Sequence, residues 1–260
     1  MFSMFYGIEY GKLIFVCLAM TLAGFIDSIA GGGGCISLPA YLIVGLPTHI
    51  GVACNKTSAC IGTIASTLNF LKNGKLNVKV TIISAIFGII GSNIGARIML
   101  SLDPLFLQKM IVCVIPFVAL FLIFKKDFGY ENEFASVNSV KVIIVSILAG
   151  LIIGLYDGLI GPGTGTLALL IFASVLKFDL KTASGNAKLL NLATGIGSVI
   201  HYITTGVIVW PIVICVAICD IIGNYIGSSL AIKKEPSFIR YIMLIVVGIL
   251  LIKLGIDAFV

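Results

Sequence analysis

Two stretches set a carboxylate and a cluster of glycines inside apolar sequence: 24-GFIDSIAGGGGCISLPA-40 and 154-GLYDGLIGPGTGTLALL-170. In such surroundings Asp27 and Asp157 suit a proton-linked carboxylate, or a partner for a lysine or a backbone N–H group. The bland reading makes each a structural pin at a helix end. Gly31, Gly32, Gly33 and Gly34 cannot hold a regular helix, and neither can Gly161, Gly163, Thr164 and Gly165 around Pro162. A helix that begins after such a break offers unbonded N–H groups and a positive dipole end, and both suit an anion. Close helix packing or an interfacial turn is the plainer explanation. A third cluster, 54-CNKTSA-59 with 184-SGNAKLLN-191, sets Asn55, Lys56, Asn186 and Lys188 at the expected starts of two helices. Amide and ammonium donors there favour an oxyanion by charge and by geometry. Lys188 also fits a lysine reaching toward a basic cytoplasmic face, whereas Lys56 falls on the lysine-poor side and is the stronger candidate. No HExxH, GxSxG or Cys/His pairing would assemble a nucleophile or a metal, so neither enzyme activity nor a cofactor is expected.

The elements that must carry these residues are membrane helices. Of 260 residues, 59% are hydrophobic and 11% charged, against about a quarter charged in soluble domains. Apolar runs near the length of a bilayer crossing recur, among them 80–100, 105–124, 142–160, 208–232 and 241–256. The fold class is all-α, a polytopic transmembrane bundle. Helices are expected over 10–30, 35–46, 54–72, 78–100, 104–124, 140–160, 165–177, 186–204, 208–231 and 237–258, the second and seventh too short to span comfortably. The opening segment, with Glu9 before it and Asp27 inside it, does not resemble a cleavable signal. The seven cysteines lack CxxC spacing and are expected as small buried hydrophobes. A net charge of +6 suits basic cytoplasmic loops in a lipid bilayer and calls for no nucleic-acid partner.

The chain repeats itself. Gly24, Asp27, Gly31 and Gly33 recur as Gly154, Asp157, Gly161 and Gly163 at an offset of 130, Asn55 recurs as Asn186 at 131, and Gly91 with Gly95 as Gly223 with Gly227 at 132. The polar stretch 125–139 separates a first repeat, 1–124, from a second, 140–260. Five segments per repeat invert the second against the first, the plan of many secondary transporters. Ten crossings divide the basic residues 12 against 5, which puts both termini outside the cytoplasm; with the short second and seventh segments not crossing, the division is 9 against 8. Gly91/Gly95 and Gly223/Gly227 are expected as packing faces with Asn93 and Asn224 bonding across helices, and His49 and His201 as structural.

With GFIDSIAGGGG, the Asn-Lys pair at 55–56, and GLYDGLIGPGTGT followed by Asn186 and Lys188, the chain resembles the TauE/SafE family of membrane transporters from about residue 9 to 258. The resemblance implies movement of sulfite, sulfonates or related small organic anions across a cell membrane, coupled to an ion gradient, with H+ the candidate coupling ion. An anion channel or a non-enzymatic sensor subunit is the alternative; the short central linker leaves little room for a sensor domain.

Overall fold

The computed structural model describes residues 4–5, 8–107, 109, 131–235, 237–239 and 241–242. Apart from a two-residue ladder between Met4–Phe5 and Ile8–Glu9, the regular structure is helical: α1 Tyr10–Ala30, α2 Gly34–Ile43, α3 Thr48–Lys72, α4 Val78–Ser101, α5 Ser139–Leu159, α6 Thr164–Ser174, α7 Leu180–Thr205 and α8 Trp210–Lys233. Four of these, α1, α4, α5 and α8, are long and apolar enough to cross a membrane. Their outward stripes fit lipid: Ile82, Ile86, Ile90, Ile94 and Ile98, four residues apart on α4, are all exposed. α3 and α7 have the length to cross but carry polar faces, and those faces are buried. This is an all-α polytopic membrane protein. The expected helices 104–124 and 237–258, and residues 125–130 of the polar stretch, lie mostly outside the described residues; 104–107 and 237–239 are helical.

The described helices pack in matching pairs. α1 lies along α8 and, equivalently, α5 along α4; α3 lies on α8 and α7 on α4, while α3 meets α7 directly. Small residues set the two closest crossings. A Cβ at Gly223 or Gly227 would strike the α1 backbone at Thr21 or Phe25, and one at Gly91 or Gly95 would strike α5 at Leu151 or Leu155. Asn93 donates to Gly197 O at 3.1 Å and Asn224 accepts from Ser66 at 2.9 Å, so both bond across helices as expected. No disulfide forms among the described residues.

Two helices start earlier than the sequence suggested. α3 begins at Thr48 behind Pro47, and α7 at Leu180, where the Asp179 carboxylate accepts the Lys181 and Thr182 N–H groups at 3.1 Å each. Asn55, Lys56, Asn186 and Lys188 therefore sit two turns inside their helices, where the backbone N–H groups are already bonded. They act through their side chains and not through a helix end.

The described part of the polar stretch is tied down. Glu133 pairs with Lys177 at 2.8 Å, Asn132 donates to Asp179 at 3.2 Å, and Phe134 stacks on Phe178 with centroids 4.2 Å apart. The hydrogen bond from Lys177, and then its charge, hold the Glu133 carboxyl below its ordinary value of 4.5. A depressed folded-state value means the pair contributes at higher pH and is lost as pH falls through that value. Lys177→Gln is therefore expected to leave the melting temperature almost unchanged at neutral pH, since both partners are about half exposed. It should flatten the acid limb below about pH 4.5, as read by thermal unfolding at stepped pH.

Candidate anion site between the two halves

The two breaks meet back to back. α1 ends at Ala30 and the chain passes through Gly31, with φ 78°, into α2; α5 ends at Leu159 and passes through Gly161 and Gly163, with φ 92° and 83°, into α6. Gly31 lies so close to Gly165 and Thr166 that a Cβ on it would strike their backbone, and a Cβ on Gly34 would press on Pro162. The starts of α2 and α6 thus converge. A cavity of about 70 Å³ opens beside them, room for a few waters or one small oxyanion, walled by α1, α2, α3, α5, α6, α7 and α8.

Each aspartate folds back on the half-helix that follows it. Asp27 Oδ1 accepts the Gly33 N–H at 3.1 Å, and Asp157 Oδ1 accepts the Thr164 hydroxyl at 2.8 Å. Each also binds a lysine from the opposite half: Lys188 Nζ lies 2.5 Å from Asp27 Oδ2, and Lys56 Nζ lies 2.6 Å from Asp157 Oδ1 while also donating to the Asp157 carbonyl. The lysine and aspartate side chains of these pairs are 2% and 20% exposed in the first, 10% and 9% in the second. Buried charges survive in a membrane interior when they are paired, and both pairs answer that demand. The positive ends of α2 and α6 each face a protein carboxylate in the place an external anion would take.

Of the residues singled out by sequence, Gly33, Gly34, Asn55, Lys56, Asp27, Asp157, Gly161, Gly163, Thr164 and Gly165 line the cavity. Gly31 and Gly32 form the turn behind it. Lys188 is buried and touches the cavity only through Asp27, so its environment is as enclosed as that of Lys56. Asn186 faces elsewhere, accepting the Asn77 N–H at 2.7 Å near the start of α4. His49 bonds to Leu102 O at 3.0 Å, and neither it nor His201 lines the cavity.

Sequence reasoning passed over Asn191 and Asp220, which also line the cavity. The amide oxygens of Asn55 and Asn191 and Oδ2 of Asp220 are buried without a hydrogen-bond partner. Asp220 was legible: it is one carboxylate in the middle of the apolar run 208–232, a position that by itself argues for a functional group.

The comparisons with known proteins point to membrane transporters. The "Probable membrane transporter protein" of Haemophilus influenzae is 29% identical over 239 residues, 92% of each chain. The "Probable membrane transporter protein YfcA" of Escherichia coli K12 is 29% identical over 248 residues, 95% of this chain and 90% of its own. YdhB of Bacillus subtilis, another "Probable membrane transporter protein", is 22% identical over 218 residues, 82% of this chain and 88% of its own. No solved structure matches. Residues 16–254, which hold both breaks, both ion pairs and the cavity, match the family described as Sulfite exporter TauE/SafE, and the chain therefore belongs to that family of membrane transporters.

Proposed function

We propose that the chain is a secondary transporter of small anions, sulfur oxyanions or organosulfonates foremost, that works by alternating access between two inverted repeats. The observation that carries the reading is the cavity itself: it lies where the two helix breaks back onto each other, and buried ion pairs join one half to the other beside it. The repeats are 1–124 and 140–260, joined by 125–139. An arriving anion competes with Asp157 for Lys56 and for the donors around Gly161–Gly165, and it presents its own protonated oxygen or bound water to the idle amide oxygens of Asn55 and Asn191. Loosening a pair that ties the halves together lets them exchange packing around the site, so binding and reorientation are linked. The family's printed description supports sulfite as the first substrate to try, and the transporter names of the relatives support a protein that is not an enzyme. The 12-to-5 division of basic residues supports a cell-membrane protein with both termini outside the cytoplasm.

Purified protein in lipid vesicles, challenged with sulfite, thiosulfate, methanesulfonate, sulfate and small carboxylates, tests this by tracer exchange and by current. Saturable flux is expected for the sulfur anions. Folded protein that exchanges none of them would overturn the reading, and flux that rises without saturation would favour a channel. Asn55→Ala should raise the half-saturating concentration about tenfold with little change in melting temperature, the loss of one polar contact. An unchanged half-saturating concentration would remove Asn55 from the site.

A further inference from the structure

The cavity contains one carboxyl that, among the described residues, no cation pairs with. Asp220, at the middle of α8, is 2% exposed, and among the described residues no lysine, arginine or histidine lies within ion-pair distance of it. Its Oδ2 has no hydrogen-bond partner, although the residue lines the cavity. Two glycines make its place. A Cβ on Gly24 of α1 would strike Oδ1, and a Cβ on Gly62 of α3 would strike Oδ2 and the carboxyl carbon.

The repeat shows that this is a departure from a common plan. At the offset of 132 that relates Gly91 to Gly223, Asp220 corresponds to Gly88 and Gly62 to Thr194. There the partners are reversed in size: a Cβ on Gly88 would meet the Thr194 methyl, and Gly154, the counterpart of Gly24, packs directly on the Gly88 backbone. One half fills the crossing with a threonine against a glycine. The other half fills it with a carboxyl against two glycines. Leu190 also borders the Gly88 crossing, so apolar and hydroxyl side chains fill it there and packing alone does not require an aspartate.

The charged and titratable groups around it come from every neighbouring element. α1 brings Asp27 and Cys17, α2 Tyr41, α3 Lys56 and Cys60, α5 Asp157 and α7 Lys188; α8 itself carries Cys215 and Cys219. Lys56 and Lys188 are already committed to Asp157 and Asp27. The two pairs sum to zero, and an ionised Asp220 leaves the cavity with one negative charge. A monoanion entering beside it would make two in a medium of low dielectric constant, where like charges repel strongly.

We propose that Asp220 is the proton-coupling group of the transport cycle, taking one H+ as each anion enters and releasing it with the anion on the other side. The inference rests on the anion-transport reading and names its coupling ion. The step balances: carboxylate plus H+ gives carboxylic acid, and the reverse on release. The cavity then holds one negative charge throughout, that of Asp220 when empty and that of a monoanion when loaded. A proton needs no coordination shell, which suits a carboxyl enclosed between two helix backbones; a metal cation would need several oxygen ligands around it.

Methanesulfonate is the suitable probe, because it is permanently ionised and carries no proton of its own. In vesicles holding the wild-type chain, an inward proton gradient should concentrate labelled methanesulfonate about tenfold per pH unit and acidify the interior. In Asp220→Asn the labelled anion that crosses should distribute evenly, with an accumulation ratio of one at every proton gradient, and a folded variant that passes no anion is decided by the infrared measurement below. Accumulation by the variant equal to wild type, or wild-type flux indifferent to the proton gradient, would overturn the proposal. Failure of the wild-type chain to exchange any anion of the panel would instead overturn the transport reading beneath it, and this inference with it. Should the variant not fold, infrared spectra of wild-type protein labelled with 13C-aspartate decide: a protonated-carboxyl band that grows when methanesulfonate is added supports the proposal, and no such growth at any pH refutes it.

Discussion

Lys188→Ala is expected to destabilise the protein by about 3–5 kcal/mol, the cost of leaving one member of a buried ion pair alone. The Lys188 side chain is 2% exposed, and its ammonium is 2.5 Å from Asp27 Oδ2. Removing it strands a carboxylate whose remaining support is the Gly33 N–H at 3.1 Å. Lys56→Ala should act in the same way on Asp157, moderated by the Thr164 hydroxyl that Asp157 keeps. The informative measurement is a thermal-unfolding cycle. Lys188→Ala with Asp27→Ala should recover much of the stability lost in the single variant, because two neutral groups are cheaper to bury than one charge. Flux should be lost in the double variant even so, since the pair that joins the two halves beside the cavity is gone. A single variant as stable as wild type would mean that water reaches Asp27 freely, and the closed arrangement would be wrong. The exposed Glu133–Lys177 pair is the control, alike in length and different in burial.

Gly31→Ala should be among the most damaging single methyls at the described glycines. Gly31 holds φ 78° and ψ 178°, a region that only glycine occupies readily, at about 1–3 kcal/mol for other residues. Its added methyl would also drive into the backbone of Gly165 and Thr166, at the place where the two breaks touch. Backbone cannot swing aside as a flexible side chain can. Gly45→Ala separates the two causes: Gly45 has φ 93° and open space around it, so it carries the conformational cost alone. We expect Gly45→Ala to fold and transport with a modestly lowered melting temperature, and Gly31→Ala to lose flux and most of its folded yield. Equal effects in the two variants, read by size-exclusion yield and melting temperature, would show that the contact between the breaks contributes nothing.

The long apolar runs declared themselves in the sequence, because hydrocarbon thickness fixes their length; α1, α4, α5 and α8 begin and end within about two residues of expectation. The glycine breaks were equally plain, since nothing else in the code abandons a helix so completely. The starts of α3 and α7 were not, because 48–53 and 180–185 mix small and polar residues that suggest loop until they are seen buried among other helices. Asp27 and Lys188 were both noticed, yet their meeting joins residues 161 positions apart and no local pattern records it. Asp220 was hidden for a different reason: it stands where the two halves differ, with Gly88 at the corresponding place, so no recurrence marks it.

The crossed ion pairs have a consequence for how the molecule is made. Asp27 reaches Lys188 while Asp157 reaches Lys56, so residue i of one half meets residue j of the other and the reverse holds too. That reciprocity is the signature of a self-complementary dimer interface. A half-length chain would emerge into the bilayer with one acid and one base unsatisfied, and it could neutralise both in this way only by finding a second copy of itself. Tethering the halves replaces that search with a high effective concentration.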